Sequence, residues 1–482
     1  MNLSGKRILV MGLGIHGGGL GVARWLLRQN AVVTVTDTAA PLALAESVAQ
    51  LDASAASLGT TVRYTLGEHR AEDILAADML VVNPAVRPDS PWLALASRSS
   101  IPVETEMTLF CRVCPGPILG VTGTKGKTTT ALMLAAMLRE RFPDTVAAGN
   151  LRVSALEALD RITSRTPVVL ELSSFQLERM GAAGLSPRYS LITNLSADHL
   201  NWHGSMPSYA EAKAQIYRHQ TQNGILVLNA SDPGSAEWFG GADQLGLRLA
   251  VLTDNLDLLA PIPQPAPTVR LVDEQVVLAD PLGGLPGSAP GWRTTLFVRR
   301  DLHLPGRHNL HNAMLAAALA YAFGITPTEI ATALRNFAGV EHRLELVRER
   351  CGVRYVNDTT ATNPAAALAA LQAIETPIVL IAGGADKQLT FDALAAAIAR
   401  RVKALVLLEG SATPQIAAAL AEEGARLPIV GPYHDFAAAI AAARNLAAPG
   451  DTVLLSPGCA SFGMFRNEFH RGEEFRRIVG EL

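Results

Sequence analysis

A glycine-rich turn between an apolar run and a helical pattern constrains this chain more than any other feature. The apolar run at 116–121 leads into the turn at 123–129, which reads GTKGKTT, and helical periodicity follows from Ala131 to Arg139. A strand, a glycine turn and a helix in this order direct backbone N–H groups and the positive helix end at one point, which suits a polyphosphate. Lys127 would reach the β- and γ-phosphates, and Thr128 would place its hydroxyl on Mg²⁺. The stretch therefore predicts an ATP site.

The turn is a shortened form of the usual phosphate-loop pattern. Val121 stands five positions before Gly126, where the strict pattern has a glycine. An ordinary turn with a surface lysine is the alternative interpretation. We favour the phosphate interpretation because strand, turn and helix occur in the right order. The residues predicted to contact ATP in this turn are Gly123, Thr124, Lys125, Gly126, Lys127, Thr128 and Thr129.

Length, composition and charge indicate a multidomain protein, and we expect an enzyme that acts on small molecules. A chain of 482 residues is too long for one core and predicts about three domains. The net charge of −3 gives no footprint for nucleic acid or an anionic membrane. Without an N-terminal signal pattern or an apolar run of membrane-spanning length, we expect a cytoplasmic protein. The four cysteines lack the two pairs of a zinc site, so we expect ordinary core or loop residues.

The first block of the chain resembles a dinucleotide-binding fold. A strand at Arg7 to Met11 precedes the turn GLGIHG at 12–17, and a second strand ends at Asp37, about twenty residues on. This pattern would accept NAD or any other nucleotide diphosphate, so both remain open. A third strand leads to Asn83, at the sheet edge where ligands of open α/β sheets bind. We predict a Rossmann-like domain over residues 1–115.

The second block, predicted over residues 116–340, places polar side chains where strands end. Glu171 follows a buried strand and could hold Mg²⁺ directly or through water, although a surface glutamate is the alternative. Ser173 and the next serine explain why that strand stops, since serine caps helices. His199 could be a metal ligand, a general base or an ordinary loop histidine. Lys213 lies on a helix, where a solvated lysine is the usual interpretation.

The third block, predicted over residues 341–482, reads as another parallel sheet. Apolar strands alternate with helical patterns, and the loops after three strands are rich in polar residues and glycine. Those loops lie at 357–364, 383–387 and 456–462. In the preceding segment, Asn309 and Asn312 precede or open an alanine-rich helix, where side-chain amides could contact an adenine edge.

The three blocks together resemble the Mur ligases of peptidoglycan synthesis over essentially the whole chain. The resemblance rests on the turn at 123–129, the sequence LSSFQLE at 172–178, the Rossmann-like first domain and the Asn357–Asp358 loop. It implies a three-domain α/β fold with a Rossmann-like N-terminal domain, a P-loop ATPase-like central sheet and a Rossmann-like C-terminal domain. It also implies ATP-dependent amide synthesis through an acyl phosphate.

The resemblance assigns a role to each candidate residue. It implies two Mg²⁺ ions bound by Thr128, Glu171, His199 and a carbamylated Lys213, with Lys127, Lys213, His199 and His342 as catalytic residues. The positions implied around the rest of ATP are Asn309, Asn312, Arg343 and Asp358. Those implied for the UDP-substrate are Gly14, Ile15, His16, Asp37, Asn83, Asn150 and Ser173. Those implied for the amino acid are Thr362, Lys387, Ser461 and Phe462.

The implied substrates are UDP-N-acetylmuramoyl-L-alanine and glutamate, with D-glutamate expected. Two departures bear on the amino acid: Thr360 stands where glutamate-adding members have a lysine, and Glu468–Phe469 inverts the expected order. L-glutamate or another amino acid, a folylpolyglutamate-type ligase, a nucleotide-sensing protein and an NAD-dependent oxidoreductase are the alternatives. The Gly12-to-Asp37 unit argues against the folate ligase, which lacks it. We expect a monomer without nucleic-acid or membrane partners.

Overall fold

The computed structural model describes two compact units. One comprises Met1–His303 and Arg307–Phe337, and the other comprises Leu304–Gly306 and Ala338–Leu482. The residues that the structure describes are 1–14, 18–151, 154–221, 223–235, 238, 247–252, 267–281, 283, 285, 289–304, 306–386 and 389–482. The predicted three-domain boundaries at 115 and 340 stay a prediction.

The first unit contains two sheets. The strands of its first sheet are β1 (Arg7–Met11), β2 (Val32–Asp37), β3 (Arg63–Leu66), β4 (Met79–Val82) and β5 (Val103–Glu104). They pair in the order β3-β2-β1-β4-β5, and all of the pairs are parallel. The glycine turn after β1, Asp37 at the end of β2 and Asn83 after β4 therefore share the carboxyl edge of this sheet.

The second sheet carries the predicted phosphate loop. Its strands in the described part of the chain are β6 (Ile118–Thr122), β7 (Val146–Gly149), β8 (Val168–Glu171), β9 (Tyr189–Ile192), β10 (Ile225–Asn229), β11 (Leu247–Leu252), β12 (Thr268–Val272), β13 (Gln275–Asp280) and β14 (Trp292–Val298). The order is β14-β13-β12-β11-β10-β9-β6-β8-β7. Because β6 lies between β8 and β9 in parallel pairings, the ends of these three strands are neighbours at one edge.

The parallel central sheet predicted from the sequence is confirmed, with an antiparallel extension at one side. Strand β13 pairs antiparallel with β12, to which a hairpin turn connects it, and it also pairs antiparallel with β14. The hairpin turn at Asp273 and Glu274 has both residues at positive φ, which reverses the chain tightly enough for antiparallel pairing.

The second unit has a mixed rather than a wholly parallel sheet. Its strands are β15 (Glu345–Arg350), β16 (Val353–Asn357), β17 (Ile378–Ala382), β18 (Val402–Leu408), β19 (Ile429–Tyr433) and β20 (Thr452–Leu455), in the order β15-β16-β20-β17-β18-β19. The four strands predicted from the sequence, β16, β17, β18 and β20, pair in parallel, whereas β15, which the sequence analysis did not predict, pairs antiparallel with β16. Only two residues separate these strands, too few for a parallel crossover. Buried side chains cover both faces of the sheet.

Helices cover the sheets and begin at recognisable caps. Ser173, Asn363 and Asn467 each accept a backbone N–H in the first turn of their helix. The helices of the first unit that lie wholly within the described residues include Gly18–Arg28, Ala45–Ser57, Ala71–Leu75, Pro91–Arg98, Glu106–Val113, Lys127–Arg139, Ser174–Ala182, Leu200–His203, Met206–Arg218, Arg307–Phe323 and Pro327–Asn336. Those of the second unit are Pro364–Ala373, Asp392–Arg401, Thr413–Glu422, Phe436–Leu446 and Glu468–Glu481. None of the helices in the described residues is long and apolar enough to cross a membrane.

Candidate active site

The predicted phosphate loop connects β6 to the helix Lys127–Arg139. Gly126 caps this helix in the left-handed region at φ +81°, and Gly123 has φ +145°. A Cβ atom at Gly123 would lie 1.9 Å from Thr193 Oγ1, so only glycine fits there. The Nζ of Lys127 donates to the carbonyl of Thr124 at 3.0 Å, which keeps its charge beside the loop.

Residues just after β9 fix the shape of this loop. Thr193 Oγ1 and Asn194 Nδ2 donate to the carbonyl of Lys125 at 2.6 and 3.0 Å. In return, Asn194 Oδ1 accepts from the backbone N–H of Lys125 at 2.9 Å. The sequence analysis missed both residues, because their role depends on β9 lying next to β6 in the sheet. The polar Thr-Asn pair directly after an apolar strand was the available signal.

The helix Arg307–Phe323 brings Asn312 to the same loop. Asn312 is buried, and a Cβ atom at Gly126 would lie 2.5 Å from its Oδ1. Asn309 is half-buried in the first turn of the helix. Both predicted asparagines therefore lie near the N-terminal end of one helix, and Asn312 touches the phosphate loop.

Lys213 is buried, which contradicts the interpretation of a solvated surface lysine. Its side chain on the helix Met206–Arg218 is 1% exposed, and Nζ donates to the carbonyl of Gly123 at 2.8 Å. The same Nζ lies 4.7 Å from the ring centre of Tyr209. Burial, followed by the positive charge of Lys127, lowers the pKa of Lys213 to about 6. This lysine is therefore largely neutral at pH 7, unlike an exposed lysine.

Glu171 ends β8 as a buried carboxylate, so the alternative of a surface glutamate is wrong. One oxygen, Oε1, accepts a hydrogen bond from Asn150 Nδ2 at 2.7 Å. The other, Oε2, is buried and has no hydrogen-bond partner in the described residues. A buried carboxylate oxygen without a donor is costly unless a cation or another donor completes it. Its charge also acts on Lys213, which places the two side chains at one site.

His199 lies beside the same cluster of charges. It caps the short helix Leu200–His203 with φ +52°, and its ring packs edge-on against Phe175 at 5.0 Å between centroids. Burial lowers the pKa of His199, and the charges of Lys127, Lys213 and Lys125 lower it further, against the opposing effect of Asp198. A neutral imidazole is the form that binds a metal ion.

The glycine turn of the first sheet is held by Asp37 and Asn83. Asp37 is buried and accepts backbone N–H groups from Gly14 at 3.0 Å and from Ala39 at 2.8 Å. A Cβ atom at Gly12 would lie 2.8 Å from the Cβ of Asn83, so Asn83 packs directly against the glycine turn. The predicted residues Ile15 and His16 lie outside the described residues.

Asn150 and Ser173 follow the neighbouring strands β7 and β8 of the second sheet. Asn150 donates its backbone N–H to the carbonyl of Glu171 at 2.9 Å, in addition to its side-chain bond. Ser173 forms a capping box with Gln176 at the start of the helix Ser174–Ala182. The two predicted UDP-substrate residues therefore flank Glu171, and both already have structural partners.

In the second unit, His342 and Asp358 are buried close to the end of β16. The backbone N–H of Leu344 donates to Asp358 Oδ1 at 3.2 Å, and Ser456 Oγ donates to Oδ2 at 2.8 Å. Burial raises the pKa of Asp358 to about 7. His342 has φ +64° and lies 2.9 Å from Asn357 Nδ2 through its Nδ1, and burial lowers its pKa. Arg343 is exposed beside them.

Three of the four residues predicted for the amino acid belong to described loops of the second unit. Thr362 is half-buried, Phe462 is 51% exposed, and Ser461 is buried with an Oγ that has no hydrogen-bond partner in the described residues. Lys387 lies outside the described residues. Thr360, the position of the departure, donates its hydroxyl to the carbonyl of His342 at 2.9 Å.

Comparison with known proteins assigns the family. The models described as Mur ligase MurD-like, N-terminal domain, Mur ligase middle domain, and Mur ligase, glutamate ligase domain match residues 6–105, 121–255 and 342–459. A UDP-N-acetylmuramoylalanine--D-glutamate ligase of Roseiflexus sp. (strain RS-1) is 54% identical and covers 99% of both chains. The chain belongs to the Mur ligase family. It is therefore a ligase, and the predicted family resemblance is confirmed.

More distant Mur ligases agree in sequence and fold. Ligases of the same name from Symbiobacterium thermophilum and Treponema pallidum are 36% and 34% identical, with 99% of this chain and 98% of theirs covered. The crystal structure of a UDP-N-acetylmuramate-alanine ligase MurC from Thermotoga maritima matches with a TM-score of 0.59 at 21% identity, over 99% of both chains. That of MurF from Acinetobacter baumannii matches with 0.55 at 17% identity, over 86% of this chain and 87% of its own. These two likenesses confirm the predicted α/β fold class.

Proposed function

We propose that this chain is an ATP-dependent ligase that joins D-glutamate to UDP-N-acetylmuramoyl-L-alanine in the synthesis of peptidoglycan precursors. The observation that carries the chemistry is the group of charges at one edge of the second sheet, where Lys127, Glu171, His199 and Lys213 act on one another. A glycine turn at a helix N-terminus beside such a group suits a triphosphate. The amino acid and the UDP-substrate follow from the name of the Roseiflexus ligase that is 54% identical.

The proposed reaction has two steps. A carboxylate oxygen of the UDP-linked substrate forms a bond to the γ-phosphorus of ATP, the bond to the bridging oxygen breaks, and ADP leaves. The amine nitrogen of D-glutamate then attacks the acyl carbon, the bond from that carbon to the phosphate oxygen breaks, and phosphate leaves. The proton lost by the amine passes to a base. Lys127 and the backbone N–H groups of the loop hold the phosphates in line for the first step.

Two Mg²⁺ ions are proposed at this edge, bound by Thr128, Glu171, His199 and carbamylated Lys213. The fit rests on the buried Oε2 of Glu171, which lacks a donor, and on the neutral form of His199. No cluster of three or more His, Cys, Asp or Glu side chains occurs in the described part of the chain, so ATP oxygens would complete the ligand sets. When bound, magnesium neutralises charge that develops on the transferred phosphoryl group.

Carbamylation of Lys213 is the proposed source of one further anionic ligand. The lone pair of a neutral amine attacks CO₂, a nitrogen–carbon bond forms and one N–H proton is released, which leaves a carbamate. A lysine with a pKa of about 6 supplies that neutral amine at pH 7, whereas an exposed lysine does not. The modification also places an anion next to Lys127, where the unmodified amine is largely neutral at pH 7.

The remaining substrate contacts are assigned by the same proposal. Gly14, Asp37 and Asn83 bind the UDP portion together with Ile15, His16, Asn150 and Ser173. The other contacts to ATP are Asn309, Asn312, Arg343 and Asp358, and His342 faces the acyl phosphate. Those to the amino acid are Thr362, Lys387, Ser461 and Phe462. A monomer without nucleic-acid or membrane partners remains the expectation.

Phosphate release tests the proposal directly. The purified chain is given ATP, Mg²⁺ and UDP-N-acetylmuramoyl-L-alanine, with D-glutamate, L-glutamate or D-aspartate in parallel, and a reaction without amino acid is the control. We expect release with D-glutamate at least about tenfold above the other two. Turnover with another amino acid would assign the Thr360 and Glu468 departures to specificity, and no release with any of them would reject the ligase function.

A further inference from the structure

A buried asparagine lies against the imidazole ring of His342 in the second unit. Asn357, the last residue of β16, has an exposed fraction of 0%, and His342 is 5% exposed. Asn357 Nδ2 lies 2.9 Å from His342 Nδ1, which is hydrogen-bonding distance. This pair alone does not say which group donates, because a side-chain amide has two ends and a neutral imidazole has one N–H and one bare nitrogen. The surroundings of Asn357 decide the question.

The amide of Asn357 has only one favourable orientation. The backbone N–H of Thr359 donates to its Oδ1 at 3.2 Å. On the other side, Nδ2 lies 3.2 Å from Glu345 Oε2 and 3.3 Å from the carbonyl oxygen of Gly472, and both of these oxygens can only accept. Turning the amide over would place Oδ1 against a carboxylate and a carbonyl, with Nδ2 against an N–H. The NH2 group therefore faces His342.

His342 Nδ1 is consequently the acceptor of this hydrogen bond, and the ring proton is on Nε2. A proton on Nδ1 would point at the NH2 group of Asn357, and Glu345 Oε2 is 3.8 Å away, beyond hydrogen-bonding distance. Nε2 makes no hydrogen bond within the described residues, and it is not one of their enclosed polar atoms without a partner, so it reaches the surface of the unit. His342 thus presents an N–H donor outward while its inner nitrogen is occupied.

Backbone and aromatic contacts fix the ring in this orientation. The backbone N–H of His342 donates to Glu345 Oε2 at 2.8 Å, which holds the residue at φ +64°. Arg476 Nε lies 3.2 Å from the other oxygen of the same carboxylate. Phe469 packs edge-on against the ring at 5.6 Å between centroids, and a Cβ atom at Gly472 would lie 2.4 Å from Nδ1. The ring therefore has little room to turn Nδ1 away from the amide.

We propose that Asn357 is a positioning residue that keeps His342 as the neutral tautomer with its proton on Nε2, and that Glu345 orients the Asn357 amide toward the ring. His342 then donates a hydrogen bond to a phosphoryl oxygen of the acyl phosphate, and it is not the base that takes up the proton of the amine. This role rests on the proposed function, whereas the tautomer does not. Because Nε2 carries a proton in both the neutral and the charged ring, the donor is present at every pH.

Histidine nitrogen spectra test the tautomer without any substrate. The unaltered protein is labelled with ¹⁵N in histidine only, long-range proton–nitrogen correlations are recorded at pH 8.5, and His342→Gln identifies the signals. Burial lowers the pKa of His342, so the ring is neutral at this pH. We expect Nδ1 to resonate as a bare, pyridine-like nitrogen and Nε2 as a protonated, pyrrole-like one. The opposite assignment, or one averaged signal for both nitrogens, would overturn the inference.

Asn357→Asp is designed to reverse the tautomer. A carboxylate at this position can only accept, so Nδ1 must carry the proton, and Nε2 of the neutral ring becomes bare. The new charge also raises the pKa of His342, since an opposite charge favours the imidazolium form. The groups whose charges already act on the ring are Glu345, Glu341, Glu473 and Arg476. Asn445→Asp, at an exposed position of the same unit, is the matched control.

In the Asn357→Asp variant we expect the two nitrogen signals of His342 to exchange. The kcat for phosphate release, divided by that of the unaltered enzyme, should be about 30-fold lower at pH 9, where the ring is neutral and Nε2 lacks its proton. The ratio should rise at least about threefold toward pH 6.5, because the charged ring donates from both nitrogens. Taking the ratio cancels the titration of the other groups in the site, and Asn445→Asp should leave both the signals and the ratio unchanged.

A ratio that stays constant over this pH range would overturn the donor role, because a purely structural defect does not follow the proton on Nε2. Circular dichroism is recorded for each variant, and if Asn357→Asp does not fold, the tautomer of the unaltered protein still decides the inference. Failure of the proposed function looks different. The unaltered enzyme would then release no phosphate, while its histidine nitrogen signals would still report the tautomer.

Discussion

Lys213 shows how burial alters the chemistry of one side chain. Its Nζ touches only the carbonyl of Gly123 and the face of Tyr209, and no carboxylate lies within ion-pair distance in the described residues. Such a position destabilises the ammonium form and leaves a nucleophilic amine. Burial of the amine therefore lowers the free energy of unfolding and, for the same reason, makes the amine more reactive.

The cost of burying Lys213 predicts that the difference in stability between the unaltered protein and a Lys213 variant depends on pH. In CO₂-free buffer, Lys213→Met should raise the free energy of unfolding by about 2–4 kcal/mol at pH 7. The native pKa of Lys213, about 6, lies below that of the unfolded chain, so the unfolded state binds more protons between the two values. The penalty is complete below pH 6 and disappears as the pH rises toward the unfolded pKa. The difference should thus shrink by about 1.4 kcal/mol per pH unit above pH 6.

Urea unfolding at pH 6.5, 7.5 and 8.5 measures that difference. Lys125→Met is the control, because the side chain of Lys125 is 77% exposed. A variant that is less stable than the unaltered protein at pH 6.5, or a difference that does not depend on pH, would contradict the argument.

Glu171 supports a second prediction about a single side chain. Glu171→Gln keeps an oxygen for the hydrogen bond from Asn150 but removes the charge that Oε2 offers to a cation. The apparent affinity for Mg²⁺ should therefore fall about 10–100-fold, while the free energy of unfolding changes little. A magnesium titration of phosphate release measures the effect. Glu140→Gln, a change at an exposed position, is the control, and equal magnesium dependence in all three proteins would remove Glu171 from the metal site.

Among elements, the phosphate loop depends on its neighbour β9 as much as on its own sequence. Gly123→Ala should raise the KM for ATP about 100-fold, because the new methyl group collides with Thr193 Oγ1 and displaces the loop. The double variant Gly123→Ala/Thr193→Ala should recover part of the loss, since it removes the colliding atom.

Steady-state phosphate release with varied ATP measures these constants. Gly184→Ala is the matched control, because Gly184 also has positive φ but open space around its Cβ position. If the double variant were no better than Gly123→Ala alone, the backbone strain at φ +145° rather than the contact with Thr193 would explain the defect.

The same elements show what the sequence could and could not predict. The strand before the loop, the helix after it and the serine cap at Ser173 follow from local signals, namely apolar runs, glycine turns and capping residues. The order of strands is not local, and Asn194 acquires its role only because β9 pairs with β6. The burial of Lys213 has the same explanation, since a helical pattern does not say what covers each face.

In the second unit, the sequence predicted the loops but not the residue behind them. Ser461 and Phe462, which the resemblance assigns to the amino acid, lie in the loop after β20, and their role stays a prediction. The burial of Arg471 was missed, because an arginine within a charged helix reads as a surface residue, and its burial depends on packing against Thr359 and Cys459. Asn467 caps the helix Glu468–Glu481, but a capping residue does not determine which side chains of the helix turn inward.

For the whole molecule, the two compact units predict two unfolding transitions. All five tryptophans belong to the first unit: Trp25, Trp92, Trp202, Trp238 and Trp292. Tryptophan fluorescence therefore reports only on that unit, whereas far-ultraviolet circular dichroism reports on the helices of both. If the units unfold separately, the two urea curves should not coincide, since coincidence of probes is a property of a two-state transition.

A bound ligand makes this prediction easier to test, because it stabilises only the unit to which it binds. The UDP-substrate at 100 times its Kd should stabilise the first unit by about 2.7 kcal/mol, since its proposed site lies at the glycine turn of Gly14 and Asp37. The fluorescence transition should then move to higher urea, and the part of the dichroism signal that belongs to the second unit should stay where it was. Buffer without the UDP-substrate and an equal concentration of NAD are the controls. Superimposable curves that shift together would show that the chain unfolds as one cooperative body, in which case binding at the first sheet also stabilises the loops around Arg471.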